Sequence, residues 1–195
     1  MSLAQKYIHT IQAARFRYIG GLLALFLAGM TAMRLAAGYV SMVSHGAAIF
    51  DLNFGNDVTH INNTLFALGA VGRDVYLYVF LVVDTCYAAI YAVFYTSALM
   101  FLLQRIMPRQ WSQKYIRWVM LLPLMAAVFD WWENASFAFM IIVRFPRSVS
   151  SLLAMSTTVA TRMKFILVYL SLLIVLGLVV YYTVMRRRTS TQKSN

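Results

Sequence analysis

The chain has 195 residues, 62% of them hydrophobic and only 12% charged, with a formal net charge of +11. That balance excludes an ordinary soluble globular domain. The basic residues flank long apolar runs instead of forming a patch interleaved with aromatics, which argues against nucleic acid as a partner.

Residues 1–17 carry Lys6, Arg15 and Arg17 and lead into an apolar stretch, 18–40, that reads as a retained anchor crossing a membrane. Arg34 lies near its far end and is expected to snorkel to the interface. Gly20, Ala24, Ala28 and Ala32 recur every four residues. They predict a small-residue stripe that lets another helix of this molecule, or of a second protomer, approach closely.

Residues 44–74 break the apolar pattern with Gly46, Asp51, Gly55, Asp57 and Asn62-Asn63. They read as an outer loop with one short interfacial helix. His45, Asp51, Asp57 and His60 match no metal-binding spacing, so no metal is expected. Asn62-Asn63-Thr64 fits the pattern of a glycosylation acceptor.

The second predicted span, 75–104, is interrupted once, by Asp84, roughly 15 Å in from Asp74. Tyr87 and Tyr91 follow Asp84 along one helical face, so their hydroxyls can form a ladder of donors into an interior. Tyr95, nearer the end, reads as aromatic filling. Cys86 is the only cysteine, which excludes an intrachain disulfide, and it reads as an inert packing thiol.

Arg105, Arg109, Lys114 and Arg117 crowd the connection 105–117, which has no acid and is therefore expected on the inner side. The third predicted span, 118–143, contains Asp130, Glu133 and Asn134 at i, i+3 and i+4, on one face of a helix otherwise fit for lipid. An ionised carboxylate at such depth costs about 2.5–3.5 kcal/mol on insertion scales. Interior partners or a proton must offset it.

The serine- and threonine-rich stretch 148–163 can open the fourth helix as a polar, interior-facing turn; the fourth span, 160–185, and a basic tail, 186–195, follow. Eleven Lys and Arg residues fall on the expected inner side and six on the outer. The predicted fold is thus all-α, a polytopic membrane four-helix bundle forming one domain over 1–195, with both termini on the inner, cytoplasmic-like side. A bacterial inner or plasma membrane suits it. The alternative is the mitochondrial inner membrane, because the first fifty residues hold four basic side chains and no acid.

Asp84 and Asp130 fall at similar depths on spans running in opposite directions. The sequence therefore predicts one buried polar cavity lined by Asp84, Tyr87, Tyr91, Asp130, Glu133 and Asn134. Arg73, Arg162 and Lys164 are its candidate charge partners, reaching inward from the outer rim.

Gly72-Arg73-x-x-Tyr76, Asp84 and Asp130-x-x-Glu133-Asn134 together resemble a pattern of small uncharacterised four-span membrane proteins over about residues 50–170. That resemblance implies topology and no activity. Sterol-isomerase-like four-span proteins also use intramembrane acids, but the histidines here sit outside the spans, so the likeness stops at architecture.

Three functions fit the pattern. The first is a cavity that binds or transports a cation, a proton or a polar-headed lipid. The second is an accessory or structural subunit whose buried charges fix helix register. The third is an intramembrane lipid-modifying enzyme in which Asp130 and Glu133 share a proton. No cofactor is implied. Membrane lipids are the expected partners, with a homo-oligomer or a larger membrane complex also open.

Overall fold

The computed structural model describes residues 3–47, 57–106 and 109–191, with side chains at 17–47, 57–106, 118–143 and 145–186. Asp51 and the side chains of Arg109, Lys114 and Arg117 lie outside the described residues. Every described element is helical: α1 (Leu3–Val43), α2 (Val58–Ala67), α3 (Gly69–Val75), α4 (Leu81–Ile106), α5 (Arg109–Phe139) and α6 (Ser151–Thr191). Two π-helical turns, Tyr76–Phe80 and Met140–Arg144, join α3 to α4 and extend α5.

Four stretches are long and apolar enough to cross a membrane: Arg17–Val43, Gly69–Ile106, Trp118–Val143 and Ser151–Arg186. Two differences from the sequence reading concern their edges. The second stretch begins at Gly69, within the expected loop, after the short helix α2, whose start Asp57 caps by accepting the His60 amide at 2.6 Å. The fourth helix starts at Ser151, and its serines and threonines donate back to carbonyls one turn earlier, as Thr157 does to Leu153 at 2.8 Å. Those hydroxyls stay inside the helix.

The core is built around α4, which packs against α1, α5 and α6, while α5 also packs on α6. Ala88, Tyr91, Ala92 and Tyr95 form the middle of this core with Ala126 and Ala127 of α5. The small alanines bring α4 and α5 close together. Nearer the α2 end, Ile61, Leu65, Tyr76, Phe80, Phe137 and Met140 form a second cluster. Asn62 ties α2 to the start of α6, donating to the Ser148 hydroxyl at 3.0 Å and accepting from the Val149 amide at 3.2 Å. With both ends of its amide so used and Thr64 buried, Asn62 is a structural tie, which replaces the glycosylation reading.

Helix α1 is almost wholly exposed and touches the rest through one narrow face. That face is Leu22, Phe26, Gly29, Met33, Ala36 and Val40, not the small-residue stripe. Gly20, Ala24 and Ala28 are exposed. Positions 22 and 26 stand about 200° round the helix from 20 and 24, so the stripe looks away from α4. Paired contacts show the four long helices alternating in direction: Phe26 meets Tyr95 and Gly29 meets Tyr87, Tyr91 meets Asp130 and Thr85 meets Asn134, and Asp130 meets Lys164 while Glu133 meets Thr161.

Candidate functional site

Three carboxylates are buried within the helical assembly: Asp84 and Asp130 are 2% exposed and Glu133 is 0%. Asp130 and Glu133, one turn apart on α5, both reach Lys164 of α6. The Lys164 Nζ lies 3.2 Å from Asp130 Oδ1 and 2.7 Å from Glu133 Oε2. The remaining oxygens are met from two further helical turns. The Tyr91 hydroxyl donates to Asp130 Oδ2 at 3.0 Å, and Thr161 Oγ1 donates to Glu133 Oε1 at 2.6 Å.

Lys164 can do this because Thr157, Thr161 and Lys164 share one face of α6 at i, i+4 and i+7, all buried. Two negative charges on one ammonium, with both carboxylates also accepting from hydroxyls, is the kind of satisfied buried network that holds charge away from water.

Beside this network lies a cavity of about 470 Å³. Helix α4 supplies Asp84, Tyr87, Tyr91 and Tyr95. Asp130 comes from α5, Lys164, Phe165, Val168 and Tyr169 from α6, and Phe26, Met30, Met33 and Arg34 from α1. Among the described residues α1 and α6 make no extended contact, so the cavity is a cleft between them floored by α4. Phe26 stacks on Tyr87 with ring centroids 5.7 Å apart and meets Tyr95 edge-on at 5.6 Å, which holds the aromatic wall in place.

The structure thus brings Asp84, Tyr87, Tyr91, Asp130 and Lys164 to one space. Other expected residues lie elsewhere. Glu133 sits behind Lys164 and does not line the cavity. Asn134 faces the opposite groove, where its Nδ2 donates to Thr85 Oγ1 at 3.3 Å and Trp131 Nε1 donates to the Thr85 carbonyl at 3.1 Å. Cys86 lines that same groove and is exposed, where a buried packing thiol was expected.

Arg73 donates from Nη1 to the Leu65 carbonyl at 2.9 Å and stacks on Phe145 at 3.9 Å, so it clamps α2. Arg162 stands on the exposed side of α6. Arg162 is next to Thr161 in sequence but about 100° round the helix.

Sequence reasoning missed Thr161, Phe26 and the role of Tyr95 as cavity wall. Thr161 was accessible to it, being one turn from Lys164; Phe26 was not, because nothing in the pattern of α1 marks which face docks. Among the described residues no three histidine, cysteine or acidic side chains converge as metal ligands. Set beside models of known protein families, characterised proteins and solved structures, this chain matches none of them.

Proposed function

We propose that the chain is an integral membrane protein that binds a small molecule or lipid with a polar head in the cleft between α1, α4 and α6. The observation that carries this reading is the cleft itself: Asp84, Asp130 and Lys164 face the same space as four tyrosines, with Phe26, Met30, Met33, Phe165 and Val168 as its apolar walls. Few convergent polar groups in a largely apolar concavity is the usual make-up of a ligand site.

The membrane setting is supported by exposed Leu23, Leu27, Leu173, Leu176 and Val180 on α1 and α6, a belt that water would not tolerate. The inner side is assigned to the end bearing residues 105–117, where basic residues concentrate, so that both chain ends fall there too.

The Lys164 network gives the accessory-subunit reading some ground, since it fixes α5 against α6, but a register device does not call for an adjoining cavity. An enzyme is favoured less. Asp130 and Glu133 are each engaged by Lys164 and a hydroxyl instead of sharing a proton.

Compounds retained after mild solubilisation and identified by mass spectrometry test the binding reading. Wild-type protein is expected to carry a defined small molecule or lipid that V168W, with the cleft filled, loses at equal helical content. An identical retained set in both proteins, or none in either, overturns it. For orientation, single cysteines at Ser112 and Asn63 in a Cys86→Ala background should react with an impermeant thiol reagent from opposite faces of the membrane; reaction from one face removes the arrangement.

A further inference from the structure

We propose that the cleft takes an uncharged flat ring bearing carbonyl oxygens, the chemistry of a quinone head, with one carbonyl accepting from the Tyr95 hydroxyl and the ring face against the aromatic walls. This rests on the cleft being a ligand site, and adds the chemistry of the ligand.

The polar groups of the cleft fall into two sets. In the first, Tyr91 donates to Asp130, Asp130 pairs with Lys164, and Asp84 also has interactions within the fold. The protein itself engages these groups. In the second, Tyr87, Tyr95 and Tyr169 line the cleft, and their hydroxyls make no hydrogen bond among the described residues. Tyr95 matters most, being only 4% exposed. Buried polar groups are normally bonded, so a hydroxyl left over at the wall of a cavity marks where a ligand atom completes the bond.

What the cleft holds open is therefore a set of donors. A phenolic hydroxyl donates, and because its oxygen shares a lone pair with the ring it donates more readily than it accepts. Arg34, the other side chain of this set, is exposed and can only donate. Such a site selects an acceptor, and a carbonyl is an acceptor alone. The rings of Phe26 and Phe94 pack against Tyr95, with centroids 5.6 and 5.3 Å away, and a hydroxyl set among rings suits a neutral acceptor better than an ion.

The walls fix the shape of the body. Phe26 of α1 stacks on Tyr87 of α4 with 29° between the ring planes, and within α6 Phe165 stacks on Tyr169 at 6.1 Å and 22°. Stacked pairs thus belong to both sides of the cleft. A flat ring extends such stacks; a puckered one does not. A quinone ring is poor in electrons and the face of a tyrosine ring is rich in them, so the quadrupoles attract as well. A volume of about 470 Å³ lies in the range of pockets that enclose one small molecule, roughly 300–1,000 Å³.

Decylubiquinone, decylbenzene and 4-decylbenzoic acid share one tail and differ in head, so they separate a carbonyl acceptor from a bare ring and from an anion. Decylubiquinone carries a substituent at every ring carbon, which spares Cys86 from addition. The measurement is native mass spectrometry of purified full-length protein in dodecyl maltoside, titrated with each compound, for wild type, Tyr95→Phe and V168W. Wild type is expected to bind decylubiquinone about tenfold more tightly than the other two. Tyr95→Phe removes no bond that the protein makes for itself, so it should leave decylbenzene unchanged while weakening decylubiquinone about fivefold. V168W should lose all three.

Equal binding of the three heads, sensitive to V168W, overturns the carbonyl and leaves the ligand site standing. Preference for 4-decylbenzoic acid overturns it in favour of Arg34. Decylubiquinone bound as tightly by Tyr95→Phe as by wild type overturns the assigned donor and the proposal with it. Binding of all three unaffected by V168W, or of none by wild type, overturns the cleft as the site. Should V168W melt early, Val168→Phe, a smaller plug, is read in its place by the same outcomes.

Discussion

Lys164→Met should be the most damaging single substitution in the chain, lowering stability by about 3–5 kcal/mol. Methionine keeps most of the stem and removes the ammonium that Asp130 and Glu133 share at 3.2 and 2.7 Å. Two buried carboxylates then lose the ammonium they share and keep the Tyr91 and Thr161 hydroxyls. The loss reflects stranded charge more than a lost contact, and this has a checkable corollary. Adding Asp130→Asn and Glu133→Gln to Lys164→Met should recover most of the stability, because a neutral trio of similar volume buries no charge. Thermal unfolding in detergent, followed by circular dichroism, reads both. A single variant as stable as wild type would show that the three groups do not act as one unit.

The second large effect is expected at Gly29. A Cβ there would stand 2.8 Å from Tyr87 Cδ2 and 3.3 Å from its Cε2, closer than carbon atoms tolerate. The ring cannot simply swing aside, since it stacks on Phe26 and meets Tyr91 at 5.6 Å. Gly29→Val should therefore push α1 away from α4 at a cost of about 1–3 kcal/mol. Because α1 carries Phe26, Met30 and Met33, one wall of the cleft moves with it, and retained ligand should fall as well. Gly38→Ala on the same helix is the control: nothing lies within 4 Å, so it should be neutral or stabilising by up to about 1 kcal/mol. Equal melting of the two variants would mean that Gly29 is not a close-packing point.

Much of the architecture could be read from residue order. Apolar runs bounded by charge located four long helices, and the depths of Asp84 and Asp130 along antiparallel segments brought them to one space, because a rise of 1.5 Å per residue is rigid arithmetic. The choice of counter-charge was less visible. Counting from a helix start at 160, Lys164 looked like a rim residue equivalent to Arg162. With helix from Ser151 it is thirteen residues in, the same distance as Asp130 from Val143. The hydroxyl-rich stretch 148–163 admitted an earlier, polar start of the helix without fixing it, since serine and threonine favour loops when isolated yet satisfy themselves on carbonyls inside a packed helix. The docking face of α1 was not legible either. A small-residue stripe permits close approach but does not compel it, and the approach that occurs sets Gly29 against the Tyr87 ring of α4 and Ala36 in the core beside it.

The π-helical turn at Tyr76–Phe80 has a metrical consequence for the whole second crossing. Gly72, Tyr76, Phe80, Asp84 and Ala88 are all buried and come at strict intervals of four. In an unbroken α-helix each such step precesses by about 40°, so the fifth member would be almost diametrically opposed to the first. One widened turn takes back much of that rotation. It acts as a leap day in the helical calendar, keeping the Asp84 carboxylate on the same meridian as the Tyr76 ring instead of letting it drift to the outer surface of the bundle.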